Sequence, residues 1–368
     1  MQRRKFVTGL GAAGVAAGLS ACAKEPVAAS NGTPAAKAKT FDWKMVTTWP
    51  PNFPGLGTGA SNLAKRIQAA SGGRIKIRVF AGGELVPPLE VFDAVSQGTA
   101  EIGHGGAYYW KAKVEAAQFM GTFPFGLNAA EMNAWFYYGD GLKLWREIYE
   151  PFGLVPFPAG NTGGQMGGWY NKKIDSMADL KNLKMRIPGL GGEVFARAGG
   201  TPVLLPGSEI FTALQTGSID ATEWVGPYND IAFGLHKVAR YYYYPGWHEP
   251  GPTLEAMINA EAWASLPDDL QEIVRVCCQS VNCDMLAEYT YRNAEAFQTL
   301  QNDPNVEVLK FPDEVLIGMR EHTKAVIDEL TARNADAKKI YASLQAFLQK
   351  SAPFQEISEG SLLAARKL

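Results

Sequence analysis

Cysteine and histidine are scarce in this chain, with four of each in 368 residues. Three of the cysteines, Cys277, Cys278 and Cys283, fall in one helical stretch, where neighbours rarely meet disulfide geometry. They read as small buried apolar side chains. The histidines (His104, His236, His248, His322) are scattered, so no Cys/His zinc spacing exists. Charge of either sign is not in excess, with 35 basic against 37 acidic residues, which leaves no electrostatic footprint for nucleic acid. Past the N-terminal stretch no apolar run reaches membrane length. Catalytic signatures are missing too: there is no G-x-S-x-G, H-E-x-x-H or Ser/His/Asp grouping. Gly55-Leu-Gly-Thr-Gly-Ala60 meets a loose dinucleotide pattern, but three prolines part it from the preceding strand. The stretch after it is basic (Arg74, Lys76, Arg78) where an acid is needed. A secreted α/β enzyme using Glu223 with Glu249, a hydrolase or lyase of small organic acids, is the alternative these absences leave.

The N-terminus carries an address. Arg3-Arg4-Lys5-Phe6 precedes a weakly apolar Gly/Ala-rich stretch from Val7 to Ala21, too short and glycine-rich for a membrane span. It reads as an export signal, and the arginine pair resembles a twin-arginine one. Leu19-Ser-Ala-Cys22 resembles a bacterial lipobox, which makes Cys22 the expected lipidated N-terminus and the periplasm the expected compartment. Residues 23–40, rich in Ala, Pro and Lys, read as a flexible tether with a reach of ~25 Å.

One phrase occurs twice. Glu90-Val-Phe-Asp-Ala-Val-Ser-Gln-Gly-Thr-Ala-Glu101 returns without a gap as Glu209-Ile-Phe-Thr-Ala-Leu-Gln-Thr-Gly-Ser-Ile-Asp220. Each copy follows a strand-like run (Ile75–Phe80; Pro202–Leu205). Each spaces its apolar residues for one face of a short helix ending at Gly98 or Gly217. A strand–helix–strand unit built twice predicts two α/β lobes with a ligand in the crevice between them.

The pattern of elements predicts a two-lobe, hinged periplasmic-binding architecture. Residues 41–160 with 249–312 form lobe I, and 161–248 form lobe II. Crossovers near 160 and 245 suit closure around a ligand. A helix is predicted over 129–150. Beyond, 313–368 reads as a long C-terminal helix, whose apolar spacing runs from Leu316 to Phe347. Unbroken, the span to Lys350 reaches ~57 Å, more than one lobe is wide, so it must lie along both lobes or on another subunit. Two helices broken near Asn334 to Ala337 fit the same spacing.

Trp43-Lys-Met-Val-Thr-Thr-Trp49, Gly103-His-Gly-Gly-Ala-Tyr-Tyr-Trp110, Leu183-Lys-Met-Arg-Ile-Pro188, Gly217-Ser-Ile-Asp-Ala-Thr-Glu-Trp-Val-Gly-Pro227 and Tyr241-Tyr-Tyr-Tyr-Pro-Gly-Trp-His-Glu-Pro250 together resemble the solute-binding proteins of tripartite ATP-independent periplasmic (TRAP) transporters. The likeness is nearest to the subgroup binding 2-oxo acids and lactate, and it covers the chain from about residue 41. It implies a receptor that delivers a small monocarboxylate to TRAP membrane subunits, not an enzyme. It also implies a homodimer through exchange of the C-terminal helix. The lipobox is the departure, since many members are free in the periplasm.

Arg186 ends a short apolar strand before a Pro-Gly turn. Its guanidinium suits a two-pronged clamp on a carboxylate, or equally a strand edge reaching solvent; the resemblance implies the clamp. Glu223 and Trp224 close the second repeat where α/β sheets place ligand contacts. By resemblance the Glu223 side chain, the Trp224 carbonyl and the Gln165 side chain hold a cation that also touches the ligand. All-oxygen ligands mean Na⁺ or Ca²⁺, and charge counting for a monocarboxylate favours Na⁺. Glu249 is a further candidate that would shift the balance to Ca²⁺, although a hinge-surface acid fits its surroundings better. Tyr108 is expected at the pocket wall, Trp110 in the core, and Asn161 at the first crossover as a weaker ligand contact or a turn residue.

Overall fold

The computed structural model describes residues 39–368; the export signal, Cys22 and nearly all of the proposed tether lie outside them. The strands, in chain order, are β1 Phe41–Thr47, β2 Ile75–Phe80, β3 Ile102–Gly105, β4 Leu154–Asn161, β5 Gly168–Tyr170, β6 Lys184–Arg186, β7 Thr201–Val203, β8 Ala221–Thr222, β9 Tyr241–Tyr244, β10 Thr253–Asn259 and β11 Glu307–Lys310. They form two sheets, ordered β2-β1-β3-β10-β4 and β11-β9-β5-β8-β6-β7.

The repeated phrase occupies equivalent places in the two sheets. β1 lies parallel between β2 and β3, and β6 lies parallel between β7 and β8. An antiparallel strand, β10 or β5, follows in each. The helices Val91–Ser96 and Gly207–Gln215 end alike. Gly98 and Gly217 take left-handed φ values of 74° and 72°, and the next amide returns to the carbonyl of Ala94 or Ala213. Only glycine adopts that φ without strain. The final acid of each copy is also used in the same way. Glu101 accepts the Lys44 amide at 2.7 Å, and Asp220 accepts that of Lys184 at 2.9 Å. Both acids thus pin the neighbouring parallel strand, Glu101 in the middle of β1 and Asp220 at the start of β6.

Two stretches depart from the expected layout, while the C-terminal segment takes the divided form of its two expected alternatives. β11 pairs in parallel with β9 of the second sheet, so residues 307–310 do not belong with lobe I. The chain makes a further crossing along the 34-residue helix Asp268–Gln301, which the apolar pattern alone could not assign to a sheet. The helix expected over 129–150 is two, Ala129–Tyr138 and Gly141–Tyr149, parted at Gly139 and Asp140. The C-terminal segment is helical and long, and it is divided: Asp313–Arg333 ends at Asn334, whose side chain caps Ala335–Gln355 by accepting the Ala337 amide at 2.9 Å. The first piece packs on the second lobe through Gly189–Arg197 and the second returns to the first lobe. Met319, Leu330, Ile340 and Leu344 are buried in doing so. Past Pro353 the face is different, and Phe354, Ile357, Leu362 and Leu363 are exposed. Among the described residues no helix is long and apolar enough to cross a membrane.

Candidate functional site

The C-terminal ends of β6 and β8 lie side by side, with Arg186 opposite Thr222. That register puts Arg186 next to Glu223, whose amide donates to the Arg186 carbonyl at 3.2 Å. Both side chains are 1 % exposed and their ends form an ion pair. Arg186 Nε also donates to the Leu205 carbonyl at 3.3 Å, and Nη2 donates to the Tyr109 hydroxyl at 3.2 Å. Its guanidinium stands 5.1 Å from the Trp224 ring centre. Burial works against the charge of Arg186, yet Glu223 and the Tyr109 and Tyr108 hydroxyls hold its pKa above the ordinary value. The cation is therefore permanent. A buried, permanent cation with a planar fork is suited to binding a carboxylate.

Tyr109 comes from the first lobe. It sits with Tyr108 and Trp110 on the short turn Ala107–Trp110 after β3, while Trp49 lies two residues past the end of β1 and packs 6.4 Å from the Tyr109 ring. Trp49 is itself held from behind. Its Nε1 donates at 2.8 Å to His104 Nδ1, and His104 Nε2 lies 3.1 Å from the Ala159 carbonyl. Burial pushes the His104 pKa down to about 4, so the ring stays neutral and can accept the indole proton.

Between these walls lies a nearly filled cavity of about 10 Å³, lined by Trp49, Tyr108, Tyr109, Gln165, Arg186 and Trp224, with Leu56 and Thr162 beside them. Gln165 and Glu249 are bound together at the crossovers: the Gln165 amide donates to the Glu249 carbonyl at 3.2 Å, and the Gly246 amide donates to the Gln165 carbonyl at 3.1 Å. A Cβ at Gly246 would stand 2.3 Å from that carbonyl oxygen, so this approach requires glycine. Gln165 Nε2 donates to Thr162 Oγ1, which leaves Oε1 without a partner. Glu249 is 4 % exposed and its Oε2 is likewise unpartnered. Burial, then the negative charge of Glu223, pushes the Glu249 pKa well above the usual carboxylate range.

Unpartnered buried oxygens are costly, and two acids share one arginine here. This donor set fits a hard cation: oxygen atoms in surplus, with negative charge to spare. Among the described residues no three His, Cys, Asp or Glu side chains cluster closely enough for a metal ion. A cation would therefore depend on amide and carbonyl oxygens as well as carboxylates. His248 Nε2 is 3.4 Å from Glu223 Oε2, within ion-pair range but not aligned for a hydrogen bond.

The structure brings Arg186, Gln165, Tyr108, Glu223 and Trp224 together. Two expectations need correction. Asn161 does not line the cavity: its Oδ1 accepts the Gly163 amide at 2.8 Å and its Nδ2 donates to the Gly251 carbonyl and Thr253 Oγ1. Both ends of its amide are spent on the two crossovers, which makes it a hinge fastener. Glu249 is not a hinge-surface acid, because the second crossover folds inward over it. Tyr109 and His248 were not singled out from sequence. The only signal for Tyr109 was its place in Tyr108-Tyr-Trp110, where a short turn has no period to say which ring faces the crevice.

Comparison with known proteins agrees with this architecture. A family model described as bacterial extracellular solute-binding protein, family 7, matches residues 45–334. A Nostoc protein named monocarboxylate 2-oxoacid-binding periplasmic protein is 44 % identical over 317 residues, covering 86 % of each chain. A TRAP periplasmic solute-binding protein of Pseudoalteromonas atlantica, solved with sodium and pyruvate, superposes with a TM-score of 0.86. It is 40 % identical and covers 89 % of this chain and 99 % of its own. One from Colwellia psychrerythraea, solved with calcium and pyruvate, gives a TM-score of 0.87 at 40 % identity, over 89 % of this chain and 100 % of its own.

Proposed function

The chain belongs to family 7 of the bacterial extracellular solute-binding proteins, and on that premise we propose how its own residues hold a ligand. It is an extracytoplasmic TRAP receptor for pyruvate or a related 2-oxo acid, and not an enzyme. The observation that carries the reading is Arg186, a buried cation in the crevice that reaches Tyr109 of the opposite lobe. In our reading Arg186 clamps the ligand carboxylate, with Tyr108 and Tyr109 as the facing wall.

Gln165, Glu223, the Trp224 carbonyl and Glu249 are the residues we expect around a bridging cation. Such an ion would supply a positive anchor for the ligand's second oxygen. With Glu223 as the one carboxylate on the ion, Arg186 offsets the ligand and Glu223 offsets one cation charge, so the sum favours Na⁺. Ionised Glu249 would favour Ca²⁺. Closure then follows from contacts the ligand makes with both lobes at once.

Three finer assignments accompany this reading. The exposed apolar residues from Phe354 to Leu363 support a homodimer through the C-terminal helix. The arginine pair and Leu19-Ser-Ala-Cys22 support export by the twin-arginine route to the periplasm and a lipid anchor on Cys22. Lobe I as 41–160 with 249–306, and lobe II as 161–248 with 307–310, follow the two sheets. Titration calorimetry with pyruvate tests the site: wild type binds, and Arg186→Ala binds ~30-fold or more weakly. Equal affinity of the two would refute the assignment.

A further inference from the structure

The proline-rich loop that follows β1 in the first lobe contacts the second lobe outside the ligand cavity. Phe53 is buried and packs tilted, 4.2 Å from the Phe233 ring, and edge-on, 6.0 Å, to Trp224. Phe233 ends the helix Pro227–Phe233, and Trp224 precedes it. One residue along the loop, the Pro54 carbonyl accepts from Asn229 Nδ2 at 2.9 Å. The other end of that amide, Asn229 Oδ1, accepts from the Tyr289 hydroxyl at 2.6 Å. Asn229 and Tyr289 are both wholly buried. Three separate pieces of chain therefore meet at one side-chain amide: the first-lobe loop, the second-lobe helix and the long helix Asp268–Gln301.

The loop is shaped for this meeting. Gly55 has φ 70°, and a Cβ there would stand 2.6 Å from the Tyr289 ring. No other residue brings the Pro54 carbonyl to Asn229 without moving Tyr289. None of Phe53, Pro54, Asn229 and Tyr289 lines the cavity. The contact nonetheless reaches it in one step, since Phe53 rests on the Trp224 ring that carries the Arg186 guanidinium on its face. Leu56, two residues beyond Pro54, is itself part of the lining.

We infer that Phe53 and Asn229 are affinity-determining residues that never touch the ligand: they latch the first-lobe loop onto the second lobe and so set how long the closed site holds its contents. The physical reason is selectivity for one arrangement of the lobes. A buried amide with both ends satisfied across the cleft, and a ring wedged between two others, lose their partners together when the lobes part. Contacts present only in the closed arrangement act on the release rate more than on the rate of entry. This inference rests on the receptor reading for the ligand but not for the latch itself.

The test compares wild type with Phe53→Ala, Asn229→Ala and the milder Tyr289→Phe, each checked for its fold by circular dichroism and melting. Pyruvate release is followed by stopped-flow tryptophan fluorescence. Spin labels at the exposed Lys65 and Lys181, in a Cys283→Ser background, report the lobe separation with and without pyruvate. The expected result is a release rate raised roughly tenfold or more in Phe53→Ala and Asn229→Ala. Entry should stay within about threefold, and the short label distance should be less populated in both variants. Folded variants with wild-type release and wild-type distance populations would overturn the latch. Should wild type bind no pyruvate, the ligand assignment fails, and the distance populations without ligand still decide for or against the latch.

Discussion

The Tyr109 hydroxyl and Arg186 Nη2 lie 3.2 Å apart, one brought by the turn after β3 and the other by the end of β6. The pair joins the two lobes, at the place where the proposed clamp would hold the ligand carboxylate.

Removing Arg186 leaves Glu223 buried without its partner. Truncating one side of a buried charge pair costs about 2–5 kcal/mol, so Arg186→Ala should weaken pyruvate binding ~30-fold to several thousandfold. Arg186→Lys should not rescue it, because an ammonium cannot grip two oxygens in one plane. Tyr109→Phe removes one bond to a charged group and should cost about tenfold. Calorimetry on the three variants checks the order, and a lysine variant that binds like wild type would contradict the clamp.

The choice of cation should follow the acid at the second crossover. Glu249→Gln keeps shape and removes the charge, so Na⁺-supported pyruvate binding should survive while any Ca²⁺-supported binding falls by roughly tenfold or more. Gln165→Leu should weaken both. Pyruvate titrations of chelator-treated protein with each ion supplied alone would reveal the pattern, and indifference of both variants to both ions would remove these residues from the cation site.

Stability should depend on pH through buried acids, and besides Glu249 in the crevice each lobe holds one. Asp230 accepts from Trp169 Nε1 at 3.0 Å and from the Tyr242 hydroxyl at 2.7 Å. Glu255 accepts from Trp110 and from the Tyr149 hydroxyl. Burial pushes each pKa up to about 7, whereas both acids titrate near pH 4 when unfolded. The folded chain then binds more protons between these values, so their contribution is complete below about pH 4 and is lost as pH rises to about 7. Surface acids held low by partners, such as Asp179 and Glu307, act at lower pH and do not overlap. Melting temperature should be lower at pH 8 than at pH 5, by about 2–4 °C for each kcal/mol lost. Asp230→Asn and Glu255→Gln should flatten that slope, and an unaltered slope in both would show that other groups cause it.

Truncation separates a role in assembly from a role in folding. Deleting everything from residue 313 would strip Met319, Leu330, Ile340 and Leu344 from the core, at about 1.5–3 kcal/mol for each, and should unfold the chain. Stopping at Lys350 removes only the exposed apolar end. Light scattering should then give a folded monomer where the full chain gives a dimer, and a persistent dimer would place the interface elsewhere.

Much of the fold was legible because its cause is local and repeated. The twice-written phrase sets apolar spacing, a glycine that must turn left-handed, and an acid that pins the neighbouring parallel strand, all within twelve residues. Arg186, Glu223 and Trp224 were legible for a related reason: they sit at the ends of short parallel strands, where side chains are delivered to the crevice. Resemblance, not spacing, supplied their expected roles.

The chain order alone thus determined two lobes, their hinge and the position of the acidic and basic groups along it. Only the tertiary structure decided what those groups face. Asn161 and Glu249 stand at the crossovers, where a backbone turn of one residue chooses between solvent, hinge and cavity, and no local period records that choice. Tyr109, His104 and Asn229 owe their partners to residues far along the chain. Packing of separate segments aligns those partners, and the energy that selects the alignment is the burial of polar groups that must all be satisfied together.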